Sequence, residues 1–513
     1  MKLDLDPNWD KRSAEEIRAA QGRKLRRFLM EQLVPFSAFY RRHFRQHGVD
    51  PRSIRSVDDL QRIPFTSKSD IAPTREEPQR PRDLVLVPNR QLIREHWPLA
   101  RKLPLLFDRL WSGERAVLER LAGEYRPVSV FFTTGRTALP TAFLLTRYDL
   151  CLLEEVGRRI LAVGGVNPAE DKLLNLFPYA PHLAFWQVYY AGIGGTVFTL
   201  NTGGGKVMGT DGILQAVQKV QPAYLAGIPG YIYHMLREAH GRGMDFSCIK
   251  GLALGGDKIS PGYRRRVKDL LGAMGARSPR VVSVLGFTEA RKCWSECTGE
   301  DRSGFHTYPD AEIIEIVDPE TGRTKGEGET GELVYTCLDG RGSAVIRYRT
   351  GDLVVGGMTL GTCEHCGRTV PRLASQLDRV SNLRSFQLSK VKGTLVNLNL
   401  IKDELEKDPR VEEWQLVIKK RGDDPYDLDE LHLNLSLSAQ AGSDGARVAK
   451  EIESRLFEVT EVNVNTVKIL PLKDLLDLLG METQLKEKRI VDLRGGSAPA
   501  GEPVSTGSTE SER

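Results

Sequence analysis

The sequence has few cysteines, little net charge and no long apolar run, and each shortage excludes a class of protein. Seven of the 513 residues are cysteine, an odd number at low density, which favours reduced thiols or a metal site over a disulfide framework. The 73 basic residues exceed the 68 acidic ones by only five, too few for a nucleic-acid-binding surface without clustering. No apolar stretch approaches the ~18 residues that a membrane span needs. We expect neither nucleic acid nor a membrane as a partner.

The first residues, Met1 to Asp6, lack the apolar core of a secretory signal, so we expect a cytoplasmic protein. Apolar residues make up 40% and charged residues 27% of the chain, which is ordinary for a globular protein. The length allows one large domain and one or two smaller ones.

The pattern of apolar residues changes along the chain. From Asp10 to about Asp70 the apolar residues recur at helical spacing. Between Val128 and Asp352 short β-rich runs alternate with amphipathic stretches, which predicts a layered α/β fold. The predicted strands of this region are Lys172–Phe177, Gly195–Leu200, Ala223–Ala226, Gly251–Leu254 and Arg280–Leu285.

The next two predicted strands have a different connection. Glu312–Val317 and Glu332–Thr336 flank a stretch that contains Gly and Pro, so they predict a β-hairpin and the sheet is expected to be mixed. Beyond Arg379 two strands, a helix and a strand predict a small ββαβ domain. The last residues, from Gly495 to Arg513, hold too little apolar surface to fold and are expected to be disordered.

A run rich in threonine and glycine follows the apolar residues Val130 to Phe132. Backbone N–H groups and hydroxyls in such a loop can bind a polyphosphate, although such a run is more often simply a turn. The candidate phosphate-binding residues are Thr133, Thr134, Gly135, Arg136 and Thr137.

Three later segments strengthen the nucleotide interpretation. They begin at Gly255, Leu285 and Arg347, and the first two follow predicted strands. Within them Glu289 suits a magnesium ion, and Asp352 suits ribose hydroxyls.

The order and spacing of these segments resemble the adenylate-forming superfamily, most closely its phenylacetate–CoA ligase-like branch, over residues 128–494. In that family the phosphate loop reads Ser-Ser-Gly-Thr-Thr-Gly-Lys-Pro-Thr, which overlays on Thr133–Thr141. The chain departs from the family pattern at Ala138, Leu139 and Leu285, where a glycine, a lysine and an adenine-stacking tyrosine are usual.

The resemblance implies a fold class and a set of domains. It implies an α/β protein with a large mixed-sheet N-terminal adenylating domain and a small α+β C-terminal mobile domain. The expected boundaries are a helical lead-in at 1–90, the AMP-binding domain at 91–378, the mobile domain at 379–494 and the tail at 495–513.

The resemblance also implies a reaction, in which a carboxylic acid reacts with ATP to give an acyl-adenylate and a thiol, coenzyme A, then displaces AMP. The implied cofactors are ATP, Mg²⁺, coenzyme A and structural Zn²⁺. Lys486 is the implied catalytic lysine, with Lys488 as a rival, and the C-terminal domain would rotate about Arg379. The other implied catalytic and nucleotide-binding residues are Thr288, Glu289, Gly255, Gly256, Asp257 and Asp352.

By the same resemblance, the acid would lie near Tyr179, His182, Phe185 and Trp186. These side chains favour an aromatic acid, although aromatic residues also line aliphatic pockets and pack in cores.

Cys363 and Cys366 have the spacing of a zinc knuckle. Some relatives of this branch bind zinc through such a pair together with an upstream Cys/His pair, which here implies Cys297 and His306. Cys293 and His365 are alternative ligands, and reduced cysteines without a metal are the simpler interpretation.

Two other functions stay open at this stage. The acyl group could pass to an amine or to a carrier thiol, or the chain could be a catalytically degenerate nucleotide- or acyl-binding homologue. A homodimer also stays open. The sequence shows no Ser-His-Asp arrangement, paired-carboxylate hydrolase site or GxxxxGK[ST] loop, so those classes are excluded.

Overall fold

In the computed structural model the chain forms two compact units, residues 1–383 and 384–513. The structure describes residues 3–133, 140–380, 390–391, 394–395, 398–421, 429–460, 462–480 and 487–493. The predicted boundary between the functional domains, at residues 378 and 379, stays a prediction.

The first unit is built on a mixed sheet that has nine strands among the described residues, in the order β13-β14-β9-β8-β7-β6-β5-β3-β4. Strands β3 to β7 are parallel to one another, whereas the pairs β7–β8, β8–β9, β9–β14 and β13–β14 are antiparallel. The strands are β3 Lys172–Asn175, β4 Phe198–Asn201, β5 Tyr224–Gly227, β6 Gly251–Gly255, β7 Arg280–Phe287, β8 Lys292–Ser295, β9 Phe305–His306, β13 Met358–Thr359 and β14 Arg372–Leu373.

Helices cover both faces of the parallel strands, which explains why those strands carry few polar residues. The helices of the first unit are α1 Ala14–Phe28, α2 Val34–Phe36, α3 Ala38–Gln46, α4 Lys68–Ile71, α5 Arg90–His96, α6 Leu99–Tyr125, α7 Arg147–Val163, α8 Leu183–Gly195, α9 Gly205–Val220, α10 Pro229–Gly241 and α11 Pro261–Ala273. Helices α9 to α11 pack on one face of the sheet around Leu225 and Leu252. Helix α8 packs on the other face.

The predicted strand Gly195–Leu200 begins too early. Gly195 is the last residue of α8, and Thr196 adopts a left-handed conformation with φ of 52° that ends the helix. The strand therefore starts at Phe198, and apolar character alone could not separate the helix end from the strand.

A second sheet has the order β10-β11-β12-β15. Its strands are β10 Glu312–Val317, β11 Gly331–Cys337, β12 Tyr348–Val354 and β15 Leu377–Arg379. Strands β10 and β11 pair antiparallel, which confirms the predicted hairpin, and they belong to this sheet rather than to the central one. A separate hairpin joins β1 Pro127–Phe132 to β2 Ala142–Thr146.

The N-terminal helices pack directly on the sheets of the first unit. Ser13 and Glu16 form a capping box that starts α1. Leu25 and Leu29 are buried in the same core as Trp294 and Tyr335, which lie on β8 and β11. The apolar residues that recur at helical spacing in this region therefore form the buried face of helices that pack in the core.

The second unit is a small α+β unit. Its main sheet has the order β20-β19-β18-β21, in which β18 and β19 are antiparallel. Its strands are β16 Lys390–Val391, β17 Thr394–Leu395, β18 Val411–Lys420, β19 Asp429–Leu437, β20 Thr466–Ile469 and β21 Ile490–Asp492, and its helices are Leu398–Lys407, Gly445–Thr460 and Leu472–Leu479. The predicted α/β fold class, with a large mixed-sheet unit and a small α+β unit, is confirmed.

Across the described ranges of the chain, no helix combines the length and the apolar character that crossing a membrane requires.

Candidate active site

Two of the predicted nucleotide motifs lie side by side at the carboxyl ends of β6 and β7. Gly255 and Val284 are register partners, so the segments that follow each strand leave the sheet at the same edge. Gly256 has φ of 91°, a conformation that favours glycine. The Asp257 carboxylate accepts a 2.8 Å hydrogen bond from the Lys258 backbone, and Ser260 caps the start of α11. The segment that begins at Gly255 is therefore in part a turn that leads into α11.

Glu289 follows β7 and meets the start of β12. The Tyr348 hydroxyl donates a 2.7 Å hydrogen bond to Glu289 Oε1. Burial and the nearby Glu289 carboxylate raise the pKa of Tyr348 well above its ordinary value, so the phenol stays protonated and remains the donor. Within the described part of the chain the second carboxylate oxygen of Glu289 has no hydrogen-bond partner, so it could bind a magnesium ion.

Asp352 and Arg379 are partners across β12 and β15. The Arg379 Nη1 lies 2.9 Å from Asp352 Oδ1. Burial raises the pKa of the Asp352 carboxyl above its ordinary value, and the positive charge of Arg379 opposes that rise. The structure thus brings together the predicted ribose-binding residue and the predicted hinge arginine.

The two ends of the predicted phosphate loop are held together. The Thr133 hydroxyl accepts a 3.0 Å hydrogen bond from the Thr141 backbone, and the Phe132 carbonyl accepts one of 3.4 Å from Thr288. His182 Nδ1 lies 2.8 Å from the same carbonyl. Five predicted residues, Thr134, Gly135, Arg136, Thr137 and Lys486, lie outside the described residues.

The three predicted aromatic residues form one cluster. The ring of Phe185 lies 5.4 Å from that of Tyr179 and 5.3 Å from that of Trp186, both edge to face. Phe185 is buried, whereas Tyr179 is 64% exposed. Their role in binding an acid stays a prediction.

An apolar cavity lies between the sheet and helices α7 and α8. Gly255, Gly256 and Gly286 line one end of it, so this end of the cavity lies at the strand ends that carry the nucleotide motifs. The predicted aromatic residues Tyr179, Phe185 and Trp186 are not among its lining residues.

The four predicted metal ligands converge. The ligand atoms of Cys297, His306, Cys363 and Cys366 all lie within 4.8 Å of one another. The Cys297 and Cys363 sulfurs are 3.9 Å apart, close to the ~3.8 Å that two Zn–S bonds of ~2.3 Å give in a tetrahedron. His306 Nε2 lies 3.2 Å from the Cys366 sulfur.

The protonation of this cluster suits a metal ion. His306 Nδ1 lies 3.2 Å from the Gly304 carbonyl, which can only accept, so Nε2 is the nitrogen with a lone pair. Burial lowers the pKa of His306 to about 4. The hydrogen bond between Cys297 and Cys366 lowers the pKa of Cys297 to about 4 and raises the pKa of Cys366 above its ordinary value, so Cys297 is the thiolate of the pair. A neutral imidazole and a thiolate are the forms that bind a metal.

The two alternative ligands lie elsewhere. Cys293 lines the apolar cavity, and burial raises the pKa of its thiol to about 12. His365 is exposed and packs against Gly299.

Tyr348 is the residue that sequence reasoning missed at this site. It belongs to the segment that begins at Arg347, but only its contact with Glu289 reveals its role. The neighbouring Arg347 is buried in an ion pair with Glu315, at 3.0 Å, which gives that arginine a structural function.

Comparisons with known proteins found a matching family and similar chains. A protein-family model described as AMP-binding enzyme matches residues 65–340. The phenylacetate-coenzyme A ligase of Thermus thermophilus is 27% identical over 438 residues, which are 84% of this chain and 84% of that protein. The phenylacetate-coenzyme A ligase of Escherichia coli is 26% identical over 439 residues, 84% of this chain and 85% of that protein.

Solved structures share the fold. A 2-hydroxyisobutyryl-CoA ligase in the postadenylation state, in complex with 2-HIB-AMP, matches with a TM-score of 0.73 and 21% identity, covering 95% of this chain and 91% of that one. The same ligase with 2-HIB-AMP and CoA, in the thioesterification state, matches with a TM-score of 0.60 over the same shares of the two chains.

Proposed function

The chain belongs to the AMP-binding enzyme family, and we propose that it is an ATP-dependent carboxylate–CoA ligase of the phenylacetate–CoA ligase-like branch. One observation carries the proposal. The strand ends that bear the nucleotide motifs also form one end of an apolar cavity, so an acid held there places its carboxylate beside the nucleotide.

The reaction has two steps. A carboxylate oxygen of the acid attacks the α-phosphorus of ATP, and the bond to pyrophosphate breaks. The sulfur of coenzyme A then attacks the acyl carbon, AMP leaves, and the thiol proton passes to solvent.

The chain supplies binding and charge stabilisation in this scheme. Asp352 would accept hydrogen bonds from the ribose hydroxyls, and Thr133 to Thr137 would donate to the phosphates. Glu289, oriented by Tyr348, would hold Mg²⁺ through its second carboxylate oxygen. When bound, the ion neutralises charge on the phosphate oxygens.

Lys486 would stabilise the negative charge that develops at the α-phosphate, as the family motif implies. This assignment rests on the sequence, because Lys486 lies outside the described residues.

Cys297, His306, Cys363 and Cys366 would hold one zinc ion in a structural site. Four protein ligands fill a tetrahedral site and leave no position for a substrate. The ion would tie the loop after β8 to the loop between β13 and β14.

Product analysis tests the function. The purified protein is incubated with ATP, Mg²⁺, a panel of apolar acids and either coenzyme A or an amine acceptor. We expect AMP and an acyl-CoA, identified by mass spectrometry, to form in equal amounts. Transfer to the amine alone would favour the other acceptor class, and no AMP with any acid would contradict the proposal.

A further inference from the structure

The cavity beside the nucleotide motifs is large enough for an organic molecule. Its volume is about 140 Å³, roughly ten times the ~10–15 Å³ that one water molecule needs. One wall is the sheet, and the opposite wall is formed by α8 and the end of α7.

The residues that line the cavity form successive layers along the strands. The first layer is Gly286 with its partner Cys293, and the second includes Val284 and Gly255. The third layer is Ala226, Ala253 and Val282, which are register partners. The fourth layer is Leu173 and Tyr224.

These layers give the cavity its length. The fourth layer is in register with Gly251 and Arg280, six residues before Gly286 on the adjoining strand. At ~3.3 Å per residue, the lining extends about 20 Å from the strand ends into the unit. The cavity is therefore much longer than a compact acid with one ring.

The third layer keeps the cavity open along this length. Ala226 and Ala253 have small side chains at the centre of the sheet, where larger residues would close the passage. Ala253 retains partial exposure, although its neighbours Leu252 and Leu254 are buried.

The polar groups that line the cavity are bonded to the protein. Gln187 donates to the Leu153 carbonyl at 3.3 Å and accepts from the Cys293 backbone at 3.2 Å. The Tyr224 hydroxyl donates to the Gly165 carbonyl at 3.3 Å, and Ser295 donates to the Glu296 carbonyl at 2.8 Å. Because these bonds already engage the lining groups, a polar group on the acid would lose water and gain little in return.

Resting on the proposed function, we propose that the acid activated is an unbranched aliphatic acid of medium to long chain. Its carboxylate lies at the end formed by Gly255, Gly256 and Gly286, beside the nucleotide motifs. Its hydrocarbon chain passes Ala253 and ends near Leu173 and Tyr224. The aromatic acid predicted from the sequence would fill only the first layers.

A series of acids tests this proposal. ATP–pyrophosphate exchange is measured with butanoate, hexanoate, octanoate, decanoate, dodecanoate and phenylacetate. We expect kcat/KM to rise by about fourfold per methylene, the gain for burying one CH₂, and then to reach a plateau. Phenylacetate as good as decanoate, or equal values along the series, would overturn the proposal. No exchange with any acid would instead contradict the proposed function.

Variants at two depths give a second test. Ala253→Leu blocks the third layer, so we expect the ratio of kcat/KM for decanoate to that for hexanoate to fall at least tenfold. Leu173→Phe shortens only the far end of the cavity. In this variant we expect the ratio of kcat/KM for dodecanoate to kcat/KM for octanoate to fall instead. An unchanged ratio in both folded variants would overturn the proposal.

Leu252→Met is the matched control, because Leu252 lies on the same strand but packs against the opposite layer of helices. We expect this volume-conserving change to keep both wild-type ratios. Thermal stabilisation of each protein by the acids alone, without ATP, should rank the acids in the same order as exchange does. A different order would place the length preference outside the cavity and contradict the proposal.

Discussion

The Tyr348 hydroxyl donates a 2.7 Å hydrogen bond to Glu289, although the two residues are 59 positions apart in the sequence. This bond joins the segment after β7 to the first residue of β12, which also carries Asp352. It holds the proposed magnesium ligand against the strand that carries the proposed ribose-binding residue. The proposed nucleotide site thus depends on a contact between the loop after β7 and a strand of the second sheet.

Replacing Glu289 and Tyr348 should separate their roles. We expect Glu289→Gln to lower the rate of ATP–pyrophosphate exchange at least 100-fold, the scale of losing a charge-stabilising group. Tyr348→Phe removes one hydrogen bond to a charged group, so about a tenfold loss and a higher Mg²⁺ requirement are expected. Magnesium titrations of both variants check this, and equal effects would contradict a positioning role for Tyr348.

The pH dependence of ATP binding should follow Asp352. Burial raises the pKa of this carboxyl, so it takes up a proton at a higher pH than an exposed aspartate does. Protonation removes the acceptor charge, and the KM for ATP should therefore rise as the pH falls. The Arg379 charge opposes the rise in the pKa of Asp352. Arg379→Ala should therefore move the acid limb of the profile, the increase in the KM for ATP at low pH, to higher pH.

Asp352→Asn is the control for that experiment, because it cannot titrate. Its KM for ATP should be high and should lack the acid limb. An acid limb in Asp352→Asn, or a shift to lower pH in Arg379→Ala, would contradict the role given to the pair.

Lys486 and Lys488 can be distinguished directly. We expect Lys486→Ala to lower adenylation at least 100-fold, because no other cation of that motif would stabilise the developing charge. The Lys488 backbone N–H is bonded to the Leu479 carbonyl, and Lys488→Ala keeps that bond and should keep the activity. Exchange assays decide between the two lysines, and the reverse result would reassign the catalytic role.

The proposed zinc site predicts a metal content and a stability effect. Elemental analysis of the purified protein should give about one zinc ion per chain. Cys363→Ser should lose the metal and lower the Tm by several degrees, because metal binding contributes to folding. Cys248→Ser, outside the cluster, should keep the metal. Full zinc content in Cys363→Ser would contradict the assignment.

Local patterns predicted much of the fold. The hairpin of β10 and β11 was readable because the Gly- and Pro-containing stretch between the two strands is local. The end of α8 was not, since Gly195 and the left-handed Thr196 continue an apolar run in which a helix and a strand look alike.

The candidate site was harder to predict because it joins distant residues. Cys297 and Cys363 are 66 positions apart, so only the resemblance to a family could bring them together before the structure did. The contact between Tyr348 and Glu289 and the layers around Ala253 depend on strand register, which no single segment encodes. The resemblance to a family therefore led to the aromatic residues Tyr179, Phe185 and Trp186 rather than to the cavity.

The most direct test of the central claim is ATP–pyrophosphate exchange by the purified protein, measured with radiolabelled pyrophosphate, Mg²⁺ and each acid of the panel. The account predicts exchange that depends on the acid, increases with the length of an apolar chain and is lost in Glu289→Gln. Exchange that is absent with every acid, in a folded protein that contains its zinc, would contradict the assignment as a carboxylate–CoA ligase.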